Sequence, residues 1–229
     1  MSNYDKVKIV VVGDSGVGKT SAVYLICNNQ PLTSTAWTVG ASLEVKLHEY
    51  KEGTPQQKSY FVDLWDIGGS SSHENTRPVF YNGVNGIILV HDLNNRKSEV
   101  NLHRWIMEIL NRDSGKGNQS SDEDFDPEQF AGSSHIPIFV IGTKADTGDG
   151  VRQRSALSRA TSIADECGAD EIFINCLDIK AFAPGSTSAV KLSRFFDRVI
   201  ERRFHPDHSH SYYDRRKLWP QAPRIFSDE

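Results

Sequence analysis

Apolar and polar positions alternate along this chain in two rhythms. Short runs rich in β-branched residues are separated by stretches with helical spacing. Residues 7–12 form a continuous apolar run and predict a buried strand, and residues 20–28 predict the helix that follows it. Residues 43–50 and 60–64 alternate with period two around Gly53-Thr54-Pro55, which predicts an antiparallel hairpin. Residues 86–91 read as a second buried strand. Residues 101–110 place Leu102, Trp105, Ile106 and Ile109 on one helical face. Strands are expected at 136–141 and 171–175, and long helices at 154–167 and 188–204. The last helix presents Leu192, Phe195, Phe196, Val199 and Ile200 as a core-docking stripe. Strands alternating with helices predict an α/β domain over residues 1–204: a mostly parallel sheet of about six strands with helices on both faces.

Two segments break the pattern. Residues 113–134 are rich in Ser, Gly, Asp and Glu, and predict a polar surface loop inserted in the domain. Phe125 and Phe130 within it leave a partner contact open. Residues 205–229 lack periodicity and predict a flexible tail. His205, His208 and His210 could ligate a metal there, but nothing in the pattern orients them.

Composition narrows the class. Over 229 residues, 38 % apolar and 24 % charged residues suit one soluble globular domain. A net charge of −4 leaves no basic excess for nucleic acid. No apolar run reaches membrane-spanning length, and the start lacks a signal-peptide core. Cys27, Cys167 and Cys176 share no metal-ligand spacing and read as buried thiols in a cytoplasmic, reducing setting.

The chemistry begins at Gly13-Asp14-Ser15-Gly16-Val17-Gly18-Lys19-Thr20, a full G-x-x-x-x-G-K-[ST] phosphate-binding loop between the first strand and its helix. Its glycines let successive backbone N–H groups, from Ser15 to Ser21, turn inward around phosphates. Lys19 reaches the β- and γ-phosphates, and the Thr20 hydroxyl ligates Mg²⁺. The helix N-terminus adds its positive dipole end. Leu64-Trp65-Asp66-Ile67-Gly68-Gly69 is a strand ending in D-x-x-G. There Asp66 would hold a Mg²⁺-bound water, and the Gly69 N–H would meet the γ-phosphate. Gly142-Thr143-Lys144-Ala145-Asp146 ends a later strand. Its Asp146 carboxylate matches the two donors on guanine, which adenine lacks. Asn175-Cys176-Leu177 would offer a backbone N–H to the guanine carbonyl.

In this order, together with Thr38-Val39-Gly40, these segments resemble the small GTPases of the Ras superfamily, with a Rab-like phosphate loop. The likeness covers about residues 6–204. W-T-V-G, Y-K-E-G-T-P, W-D-I-G-G and A-V-K-L-S-R-F-F-D are most similar to the Rab-like protein 3 family. The resemblance implies a G domain that binds GTP or GDP with Mg²⁺, and switch segments near 32–40 and 68–80. Thr38 would bond Mg²⁺ and the γ-phosphate only in the triphosphate state, joining Thr20 and Asp66 at the metal. Lys19, Thr38 and Gly69 are then the residues expected to act on the transferring phosphoryl group. Effector and regulator proteins are the implied partners, and the resemblance leaves room for a homodimer.

The departures matter. Ser70 stands where relatives carry a water-orienting glutamine, so intrinsic hydrolysis is expected no faster than roughly 10⁻⁴ s⁻¹. His73 or Glu74 could substitute. Pro31 replaces an aromatic ring that relatives stack on guanine, a loss of about 0.5–1.5 kcal/mol that would speed exchange. Thr143 replaces a more frequent asparagine. No cysteine follows Cys176 and Ser2 is no glycine, so a direct lipid anchor is not expected. Arg202, Arg203, Arg215, Arg216 and Lys217 alone are a marginal attraction to an acidic membrane. A constitutively GTP-loaded scaffold stays open beside the switch, and an ATPase stands third.

Overall fold

A computed structural model describes residues 5–110, 136–146 and 162–206. Six strands form one sheet in the order β2-β3-β1-β4-β5-β6. They are β1 (Lys6–Val12), β2 (Ala41–Tyr50), β3 (Lys58–Ile67), β4 (Gly86–Asp92), β5 (Ile138–Thr143) and β6 (Asp170–Phe173). Only β2 runs antiparallel, paired to β3 from Ala41↔Ile67 to Tyr50↔Lys58. The expected hairpin is therefore present. Its connection takes Lys51 and Gly53 into positive φ, at 50° and 77°.

Successive β1 side chains point to opposite faces, which splits the core in two. Val7, Ile9 and Val11 pack with Val23 and Ile26 of helix α1 (Lys19–Asn28) and Phe195, Phe196 and Val199 of the last helix. Val10 and Val12 face Leu102, Trp105 and Ile106 of a central helix on the other side. Burying a ring such as Phe195 contributes about 1.5–3 kcal/mol. The described helices after α1 are α2 (Arg96–Val100), α3 (Leu102–Leu110), α4 (Ile163–Cys167) and α5 (Thr187–Phe204). The predicted α3 and α5 stripes are the buried faces.

Three local expectations change. The helix expected at 154–167 does not run unbroken: Ser162 adopts extended φ/ψ and caps a new start, exchanging bonds with Asp165 in a capping box. Residues 154–161 lie outside the described part, as do the 113–134 insertion and nearly all of the tail. β3 runs past the alternating stretch to Ile67 and so carries Asp66 at its end. The polar stretch Ser71–Tyr81 forms a 3₁₀ segment, although no apolar periodicity announced it. His205 stacks on Tyr50 at 5.4 Å and lies 3.2 Å from the Tyr60 hydroxyl, so its ring packs on the domain instead of trailing in a tail.

Candidate functional site

The site sits at the C-terminal ends of β1, β3, β4 and β5, where an open α/β sheet collects ligands. Gly13 leaves β1 with its Cα facing the Val90 carbonyl; a Cβ there would lie 2.1 Å from that oxygen. Gly18, at φ 95°, brings the chain into α1 with no side-chain cap on the helix start. The first N–H groups are thus left for an anion. Beside them lies a cavity of about 420 Å³, lined by Ser15, Gly16, Gly18, Lys19, Thr20 and Ser21 from one side. Thr38, Gly69 and Lys144 close it from three other segments. Thr35, Ala36, Trp37 and Ser70 also line it, and the motif reading had not placed them in the binding set. A larger hollow of about 900 Å³ lies at the far end of the sheet, between Lys58 and the end of α5, and holds none of the residues predicted for the nucleotide or its metal.

Lys19 is nearly buried, and its ammonium donates to the Gly13 and Asp14 carbonyls at 2.9 Å each. Burial lowers its pKa from 10.5 to about 8, against the pull of Asp66 and Asp14. The three expected metal residues converge. Thr20 donates to Asp66 Oδ2 at 2.6 Å, Thr38 donates to the same oxygen at 3.2 Å, and the two hydroxyls stand 3.2 Å apart. Asp66 Oδ1 is buried with no partner among the described residues. Burial raises the Asp66 pKa, although Thr20 and Lys19 oppose it. A carboxylate with an orphaned oxygen beside two hydroxyls is a hard-oxygen donor set, and Mg²⁺ fits it.

Gly69 passes so close to the phosphate loop that a Cβ would lie 2.6 Å from Gly13 O and Ser15 N. Gly68 donates to the Gly40 carbonyl at 2.8 Å, which stitches the segment before β2 to the one after β3. The Ser70 side chain is engaged locally: its Oγ meets Ser72 Oγ at 2.7 Å and caps the 3₁₀ segment. His73 and Glu74 are absent from the cavity wall.

The base side is built by β5 and β6, which pair through Gly142↔Phe173. Lys144, in the left-handed region at φ 58°, donates to the Gly16 carbonyl at 3.0 Å and to Asp92 at 2.7 Å. Burial pushes the Asp92 carboxyl up, but the Lys144 bond and the Asn94 N–H outweigh it and hold the pKa below the ordinary value. Asp146 is exposed on the loop that Ala145 N–H ties to Ile174 O at 3.2 Å. Thr143 and Val17 are buried behind the wall rather than on it. The Thr143 hydroxyl bonds the Val17 and His91 carbonyls, so it holds the phosphate loop on the sheet. The Leu177 N–H donates to Asn175 Oδ1 at 2.8 Å, and the neighbouring Cys176 is half-buried.

Known proteins agree with this geometry. A family model described as "Ras of Complex, Roc, domain of DAPkinase" matches residues 8–119. Rab-like protein 3 of Xenopus tropicalis is 52 % identical over 209 residues, covering 89 % of this chain and 88 % of the relative. The Homo sapiens protein of that name is 51 % identical over the same shares. The small GTPase LIP1 of Arabidopsis thaliana is 34 % identical over 151 residues, covering 62 % of this chain and 42 % of the relative. The chain belongs to the Rab-like protein 3 family of small GTPases.

Proposed function

We propose that the chain is a Mg²⁺-dependent GTP-binding switch whose triphosphate state is read by effector and regulator proteins. The observation that carries this reading is the meeting of Thr20, Thr38 and Asp66 around one buried, half-unsatisfied carboxylate. Bound Mg²⁺ would neutralise phosphate charge there and polarise the transferring group. Lys19 supplies a cation to the β- and γ-phosphates, and the Gly69 N–H faces the γ-phosphate position. The amides from Ser15 to Ser21 hold the remaining oxygens, and Asp146 pairs with guanine, beside Cys176 and Leu177.

Hydrolysis is intrinsically slow in this reading. Ser70 is short, and its hydroxyl is engaged with Ser72, so it is not set to orient the attacking water. The output surface is apolar. Trp37 is 82 % exposed and Val39 76 %, flanking Thr38, and Leu43, Val45 and Leu47 continue along one face of the edge strand β2. That face suits a partner protein or a second copy of the chain. Because the strand portion does not depend on switch I, a scaffold with constant docking is the second reading. We place the protein in the cytoplasm on its thiols: Cys27, Cys167 and Cys176 are unpaired, and burial lifts them to about 11, 12 and 11.

Single-turnover conversion of pre-bound GTP in Mg²⁺, followed by chromatography, tests this. Conversion over hours with GTP preferred over ATP supports the switch. Conversion within minutes would sink the Ser70 argument, and ATP competing equally would sink the guanine assignment.

A further inference from the structure

The 3₁₀ segment after Gly69 carries an arginine that no nucleotide can touch. Arg77 is 1 % exposed. Its Nε and Nη2 donate to the two oxygens of Glu108 on α3 at 2.9 and 2.8 Å. The Tyr81 hydroxyl donates to Glu108 as well, at 2.8 Å. The remaining arm, Nη1, reaches back and donates to the Ser70 carbonyl at 3.1 Å. The guanidinium lies 4.3 Å over the Trp105 ring, also on α3.

The same helix holds the phosphate loop from its other side. Trp105 Nε1 donates to Asp14 Oδ1 at 3.0 Å, and Asn101 Nδ2 donates to Asp14 Oδ2 at 2.6 Å. Asp14 is the second residue of the phosphate-binding motif. Through Trp105, one rigid helix therefore grips both the loop that cradles phosphates and the segment that follows Gly69. Burying a guanidinium is costly unless its donors are matched, and its planar fork fixes direction as well as distance. The pinned carbonyl lies one residue beyond Gly69, whose backbone already touches the phosphate loop.

We propose that Arg77 is a positioning residue for the triphosphate. Acting through the Ser70 carbonyl, it holds the Gly69 N–H at the γ-phosphate position, with Glu108 and Trp105 orienting its fork. The inference rests on the proposed reading in which Gly69 meets the γ-phosphate. It has a signature that general loosening lacks. GDP has no γ-phosphate, so the arginine matters for one nucleotide, whereas Asp14 sits in a loop both nucleotides share.

Calorimetric titration of the full chain, stripped of nucleotide, with GDP and with GTPγS in Mg²⁺ reads this directly. Arg77→Lys keeps the charge and loses the fork. It is expected to weaken GTPγS about five- to tenfold, the scale of one ordinary hydrogen bond, and GDP less than about twofold. Asn101→Ala removes a donor to Asp14 without touching Arg77 and is expected to weaken both nucleotides by one factor. Glu108→Gln keeps shape and one acceptor oxygen. It should shift the ratio the same way by less, and it serves if the lysine variant fails to fold. Equal weakening of both nucleotides by Arg77→Lys, or no change in either, overturns the positioning role. A parent chain that binds neither nucleotide overturns the GTP-binding reading and this inference with it.

Discussion

The two segments proposed as switches are built in opposite ways. Switch I, around residues 32–40, is bonded to the protein through the Thr38 hydroxyl and the Gly40 carbonyl, lines the cavity with Thr35, Ala36 and Trp37, and leaves Trp37 and Val39 largely exposed. Switch II, from Gly68 to Phe80, is anchored to α3 by the buried Arg77–Glu108 pair and by Tyr81 just after it. Both meet at Gly68 N–H to Gly40 O. The first segment is held by a few polar contacts beside the site, and the second is held by the core. Loss of the γ-phosphate should therefore release switch I far more easily than switch II.

The strongest way to break this contrast is Arg77→Met. It leaves the Glu108 carboxylate without its cation in a largely buried place and should lower stability by about 3–5 kcal/mol. Urea unfolding of the GDP-loaded protein measures it, and a loss below about 1 kcal/mol would mean switch II is not core-anchored.

Next comes pH, which acts on the phosphate anchor both segments surround. In the empty protein Lys19 titrates near 8, well below its ordinary 10.5. The unfolded chain binds the extra proton between those values, so the empty protein gains stability as pH rises through that window. Nucleotide binding runs the other way, because phosphates need the ammonium. GTP affinity should fall toward tenfold per pH unit above about 8, and a flat profile from pH 7 to 9.5 would contradict a depressed Lys19.

Thr38→Ala should weaken the preference for GTP over GDP in Mg²⁺ by about five- to tenfold, while the urea midpoint hardly moves. An equal loss for both nucleotides would show that Thr38 is structural. The smallest effect sharpens the contrast from the other side: Trp37→Ala should leave stability within about 0.5 kcal/mol. A loss of 2 kcal/mol or more, as expected for a buried ring, would place switch I in the core after all.

How much of this could be read along the chain follows from the range of the interactions. The phosphate loop is legible because eight consecutive residues do one local job. The α3 and α5 faces are legible because burial repeats with the helical period. Arg77 is not. It is one charged residue in a polar stretch, and its partner lies 31 positions away. Asp14 carries the motif's aspartate, but its donors sit 87 and 91 residues downstream. Such bonds leave no periodicity, because only the completed sheet and helix bring the partners together. Thr143 shows the intermediate case. Its position after β5 could be read, yet only the packed structure directs its hydroxyl to Val17 and His91.

The exposure of Trp37 has an optical consequence. Among the described tryptophans, Trp105 is sealed in the core and Trp65 is half-covered, whereas the Trp37 indole stands in solvent one residue before Thr38. Its emission should be red and open to collisional quenching by iodide when switch I is bare, and blue-shifted and shielded once a partner covers that face. The chain thus carries its own fluorescent reporter at the point where its state would be read.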